Sequence, residues 1–336
     1  MSASNPLADL LAEKGVLLAD GATGTNLFAM GLESGEAPEL WLETAPEKIT
    51  KLHQDFVDAG SDIILTNSFG GTRNRLKLHQ ADDRVFALNK RAAEIARAVA
   101  DKAPRKVIVA GSVGPTGDLL VPLGAMTYDS AVESFVEQIE GLKAGGIDIV
   151  WIETMSARDE IRAAAEAAVR CGLPYVYTGS FDTAGKTMMG VHPRDIHSIA
   201  SDIGDGPVAV GANCGVGASD ILSSLLDMTS ADPDAIVVVK GNCGIPEFRG
   251  AEIHYSGTPP LMADYARLAI DAGARIIGGC CGTSCNHLAA MREAVDSHIK
   301  AQRPTVETIV DRIGPMRNTV ATDNPAPTRE RRGRRG

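Results

Sequence analysis

Aromatic residues are scarce in this chain, at 4% of 336 residues, so its core must be built mainly from aliphatic side chains. Basic charge is also short. Thirty-three Lys and Arg stand against 43 Asp and Glu, a net charge of −10, which excludes a general nucleic-acid surface. No apolar run reaches the length needed to span a bilayer. The first residues, Met1-Ser2-Ala3-Ser4-Asn5-Pro6, lack a basic segment followed by an apolar one, so no secretory signal is expected. Six cysteines in so long a chain do not make a disulfide scaffold, and fit a reducing compartment with thiols reserved for metal. These absences lead to the expectation of a cytoplasmic protein with neither nucleic-acid nor membrane partners.

What is present is a repeating pattern. Eight short β-branched runs are expected as strands: 16–20, 62–66, 107–111, 148–152, 175–178, 208–211, 236–240 and 275–278. Most are continuously apolar, as parallel strands covered on both faces should be. Helical patterns lie between them. Val85, Leu88, Ala92, Ile95 and Val99 share one helix face, and Val132, Phe135, Val136, Ile139 and Leu142 another. Asp58-Ala59-Gly60, Lys143-Ala144-Gly145 and Asp271-Ala272-Gly273 each close a helix before a strand, with glycine as the left-handed cap. Alternating strands and helices from end to end predict a single (β/α)8 TIM barrel over residues 1–302, in preference to an open doubly wound sheet. The Pro- and Arg-rich stretch 303–336 is expected to be a largely disordered extension.

In such a barrel the chemistry gathers where strands end. Two of those ends carry cysteine: Asn213-Cys214-Gly215 after the sixth run, and Gly278-Gly279-Cys280-Cys281-Gly282 after the eighth. Buried free cysteine is commonly just a small hydrophobe. Here, however, the flanking glycines let the backbone approach a ligand, and two convergent strand ends offer three thiolates to a tetrahedral zinc. Cys214, Cys280 and Cys281 are therefore the predicted metal ligands, with the fourth corner open for substrate. Cys243 lies near the same mouth and competes as a ligand, whereas Cys171 and Cys285 fall at helix ends.

Two acids join them. Asp20 ends the first run and could simply cap a turn. Glu153 follows a fully apolar strand and needs a partner, from the protein or from a ligand. The turn Gly21-Ala22-Thr23-Gly24 lacks a Walker lysine and the GxGxxG spacing, but its amides suit a carboxylate. Zinc tris-thiolate, two carboxylates for an ammonium and amides for a carboxylate together describe a site for a thiol amino acid. Lys240, also at a strand end, offers the alternative of a Schiff-base lyase, though that leaves three thiols without a role. A non-catalytic zinc- or thiol-binding regulatory barrel is a further alternative, which would have no need of an ammonium clamp.

The motifs Asp20-Gly21-Ala22-Thr23-Gly24-Thr25, Thr66-Asn67-Ser68-Phe69-Gly70, Gly211-Ala212-Asn213-Cys214-Gly215 and Gly278-Gly279-Cys280-Cys281-Gly282-Thr283 resemble the homocysteine S-methyltransferase family. Its homocysteine-binding barrel is shared by betaine–homocysteine methyltransferases and cobalamin-dependent methionine synthases. The resemblance runs from about residue 14 to about residue 300. It implies zinc on the three cysteines, Asp20 and Glu153 at the homocysteine amine, and the amides of Ala22 and Thr23 at its carboxylate. It also implies Asn213 on the substrate side, and Asn67 and Phe69 on the donor side. Betaine needs aromatic walls, yet Ala37, Gly70 and Thr154 stand where animal-type betaine enzymes carry rings. The favoured donor is thus methylcobalamin carried on a separate corrinoid protein, with betaine or another onium compound as the alternative.

Overall fold

The computed structural model describes residues 5–244, 246–249 and 252–318. Eight parallel strands form its centre: Leu17–Leu18, Ile63–Leu65, Ile108–Val113, Ile149–Met155, Tyr175–Gly179, Ala209–Cys214, Val237–Gly241 and Ile276–Gly279. The first pairs with the eighth, the eighth with the seventh, and so on down to the second. A parallel bridge between Ala19 and Ile63 closes the ring. This is the expected (β/α)8 barrel.

Alternation along the strands sorts apolar side chains into two cores. Leu17, Ile63, Ile108, Ile149, Trp151, Val176, Val238 and Ile276 fill the barrel interior. Their neighbours along each strand face the surrounding helices, in a larger outer core. The helix faces read from sequence are the buried ones, including Val85, Leu88, Phe135 and Leu142. An N-terminal helix, Pro6–Lys14, was not signalled by a strand–helix period; it inserts Leu7, Leu10 and Leu11 into the interior core. Lys14 and Arg292 fix this end by pairing with the buried Asp62, at 2.6 and 2.9 Å.

Several boundaries differ from expectation. The helix before the fourth strand runs through Gly145, and the left-handed cap is Gly146 (φ 96°). The fourth strand continues past Ile152 to Met155 through a shift of register, so Glu153 lies inside an irregular strand end. A two-stranded antiparallel hairpin, Pro246–Arg249 with Glu252–Tyr255, follows the seventh strand. Of the predicted extension, residues 303–318 lie against the barrel: helix Val306–Ile313 buries Ile309 and Ile313, and Asp220 accepts hydrogen bonds from the amides of Arg317 and Asn318. Their burial is possible because the helix has an apolar stripe. Residues 319–336, with the Arg-rich run, lie outside the described residues. Among the described residues, no helix is long and apolar enough to cross a membrane.

His53 sits on the inner face of helix Pro46–Asp58, 1% exposed, and neither ring nitrogen has a hydrogen-bond partner. Burial lowers its pKa to about 4, so the ring is neutral in the fold. The unfolded chain takes up a proton near the ordinary value of about 6.5, which makes stability fall as pH drops from about 6.5 through about 4, by about 3 kcal/mol in all. Urea titrations across that range should show this extra loss in the wild type and not in His53→Leu. Parallel pH profiles would dismiss the assignment.

Candidate metal and thiol site

Register between three strands builds the site. Cys214 of the sixth strand and Gly279 of the eighth both stand opposite Gly241 of the seventh. Cys280 and Cys281 follow directly, and the Cys280 amide donates to the Gly241 carbonyl at 2.7 Å. Gly241 is held in turn by Tyr265, whose hydroxyl accepts from its amide at 3.0 Å; an added Cβ would meet the ring at 3.1 Å. Cys214 turns its sulfur inward through a left-handed backbone (φ 63°), an uncommon conformation for a residue with a side chain.

The outcome is that the sulfurs of Cys214, Cys280 and Cys281 lie within 4.8 Å of one another. The Cys214–Cys281 separation is 3.9 Å, and all three thiols are free. Thiolates at about 2.3 Å from a tetrahedral zinc stand about 3.8 Å apart, so the trio fits such an ion. Its charge fits as well. Hydrogen bonds from Cys214 and Cys280, then from the Tyr255 hydroxyl, hold Cys281 down to about 3. Hydrogen bonding to Cys280 and Cys281 pushes Cys214 up. A divalent cation would release the protons that remain on the thiols.

Cys243 does not join them. It is buried, with its thiol raised to about 11 by that burial, and its amide donates to the Cys281 carbonyl. Tyr255 does join, from the end of the hairpin. Its ring packs so closely on Gly282 (φ 80°) that a Cβ there would lie 2.3 Å away. Nothing local in the sequence marks this tyrosine, because the hairpin alone carries it to the cysteines.

Beside the sulfurs lies a polar layer. Asp20 is 1% exposed; its Oδ1 pairs with Lys240 Nζ at 2.7 Å and its Oδ2 accepts from the Leu65 amide at 2.7 Å. Burial works against the Lys240 ammonium, but the Asp20 and Glu153 carboxylates outweigh it, and its pKa stands above the ordinary value. A Schiff-base lysine needs the reverse. Glu153 is partly open to solvent and accepts from Ser112 Oγ at 2.5 Å. Desolvation raises its pKa to about 7 against the opposing pull of Lys240.

The remaining predicted residues take more structural positions. Asn213 Oδ1 accepts from the Thr154 amide at 2.8 Å and the Thr178 hydroxyl at 2.6 Å, while its Nδ2 donates to Thr154 Oγ1 and lies 3.9 Å from Cys280 Sγ. It thus ties three strand ends together and holds Thr154 in its left-handed conformation (φ 60°). The Ala22 amide donates to the Thr283 carbonyl at 3.1 Å, so it is engaged within the fold. Thr23 is half-buried at the start of helix Gly24–Ala29. Asn67 is buried and donates to the Pro38 carbonyl, whereas Phe69 leaves 38% of its surface exposed.

Comparison with known proteins agrees with this geometry. Residues 17–295 match the homocysteine S-methyltransferase family. The chain belongs to that family. That membership speaks against the regulatory-barrel and lyase alternatives. Methionine synthases of Mycobacterium tuberculosis and Mycobacterium leprae are 29% and 30% identical to it over 88% and 86% of its length. The chain spans only about a quarter of those relatives, 26% and 25%. The Escherichia coli homocysteine methyltransferase MmuM, in its metallated form, superposes with a TM-score of 0.73 at 26% identity, covering 86% of this chain and 99% of that one.

Asn213→Ala would leave the part-buried Thr154 amide without its acceptor and loosen the strand ends. A loss of about 1–3 kcal/mol is expected in urea unfolding, together with weaker metal retention. Unchanged values for both would mean that Asn213 does not brace the site.

Proposed function

We propose that the chain is a zinc-dependent homocysteine S-methyltransferase that forms methionine. The observation that carries this reading is the convergence of three free thiols beside the Glu153 carboxylate, where the strands end. Cys214, Cys280 and Cys281 would hold the ion. Zinc bound by thiolates supplies Lewis acidity, which brings a thiol's pKa down from about 8.5 so that it is a nucleophilic thiolate at neutral pH. The chain's own residues bind and orient the substrate around that centre. Glu153 offers a carboxylate to the ammonium, and Ser112 fixes the position of that carboxylate. The partial enclosure of the sulfurs limits water around the nucleophile.

The donor we favour is a methylcorrinoid on a separate protein. Ala37, Gly70 and Thr154 supply no ring for an onium cage. A desolvated cation–π contact contributes about 2 kcal/mol or more, so losing several such contacts would cost orders of magnitude in affinity for betaine. Gly70 is instead packed against Glu39, whose buried carboxylate accepts its amide hydrogen at 2.6 Å. Phe69 is the ring left partly exposed on that side.

Purified protein should carry one zinc per chain, lost in a Cys280→Ala, Cys281→Ala double variant; full zinc in that variant would sink the ligand set. Homocysteine binding should release about one proton, visible by calorimetry in buffers of different ionisation enthalpy and absent after metal removal. A donor panel with homocysteine should give methionine from a methylcorrinoid protein. Methionine formed from betaine alone, saturating at physiological betaine, would reverse the choice of donor.

A further inference from the structure

A clamp of two carboxylates on a substrate's ammonium needs both acids free to face it. This site is built differently. Asp20 is closed from the mouth at 1% exposure, and both its oxygens are taken, by Lys240 Nζ and by the Leu65 amide. Lys240 is itself only 3% exposed and extends from the seventh strand, between Gly278 of the eighth and Asn213 of the sixth. Its Nζ lies 5.9 Å from the centroid of the Trp151 ring, a fully buried member of the barrel interior. An ammonium is thus already installed where a substrate amine would seek Asp20. Of the two acidic residues, Glu153 is the less buried.

We infer that Lys240 is a specificity-determining residue: it fills the Asp20 arm of the clamp from within, so that Glu153 alone reads the substrate's ammonium. The inference rests on homocysteine being the thiol bound. Lys240 pulls on Glu153 electrostatically while Asp20 repels it, so the pair's two effects on that carboxylate oppose one another. A buried ion pair that loses one partner leaves an uncompensated charge, which is strongly destabilising. That coupling explains why the pair is better removed together than singly.

The test is calorimetric binding of homocysteine and its des-amino analogue, 4-mercaptobutyrate, to the zinc-loaded full chain, which needs no donor. The ratio of the two affinities reports the amine alone, and a merely structural defect would lower both. Glu153→Gln should collapse the ratio about ten- to a hundredfold, the worth of a charge-assisted hydrogen bond. The Asp20→Asn, Lys240→Met double variant should leave it within about twofold of wild type, taking the pair out whole. Lys240→Met, where it folds, should raise the ratio by opening Asp20 to the amine; the double variant carries the test if it does not. A double variant that loses selectivity as fully as Glu153→Gln, or a Glu153→Gln variant that keeps it, overturns the inference. Failure of the wild type to bind either thiol would instead refute the homocysteine reading on which it rests.

Discussion

Everything at the mouth depends on the register of three neighbouring strands. Gly241 stands opposite both Cys214 and Gly279, so one residue of the seventh strand sets how far the sixth and eighth advance. A slip of one residue would turn every side chain to the opposite face and separate the sulfurs. The Tyr265 hydroxyl, bonded to the Gly241 amide and the Val239 carbonyl, locks that register from the helix layer. A Cβ on Gly241 would crowd the Tyr265 ring at 3.1 Å, so a side chain there would push on the residue that holds the register.

Near the sulfurs lie Asp20, Lys240, Glu153 and Ser112, with the Trp151 ring of the barrel interior 5.9 Å from Lys240 Nζ. Isolated charges are costly in such a place, and the layer is tolerable because its members satisfy one another. It also shapes chemistry. Lys240 brings positive charge close to Cys280. The layer therefore links the stability of the barrel's top to its choice of ligand.

Much of the barrel was legible because its signals are local. Continuous β-branched runs and 3.6-residue apolar faces mark buried parallel strands and the helices that cover them. The N-terminal plug and the ordered stretch to Asn318 were not, since each is stabilised by surfaces formed elsewhere. Leu7, Leu10 and Leu11 are buried only because the barrel offers them an open end. Asp220 fixes Arg317 and Asn318 from almost a hundred residues away. The fourth strand's irregular end is of the same kind, held by Asn213 from two strands over.

By itself the sequence determined the strand count, the parallel barrel and the convergence of Cys214 with Cys280 and Cys281, because each follows from short-range pattern and from the rule that strand ends share one face. Tertiary structure alone decided how the acids are used. Asp20 and Glu153 are alike as strand-end carboxylates in the sequence, yet one is enclosed with Lys240 and the other, less buried, is held by Ser112. The physical reason is that a carboxylate's role is set by its desolvation and its nearest charge, and both are properties of how distant strands meet.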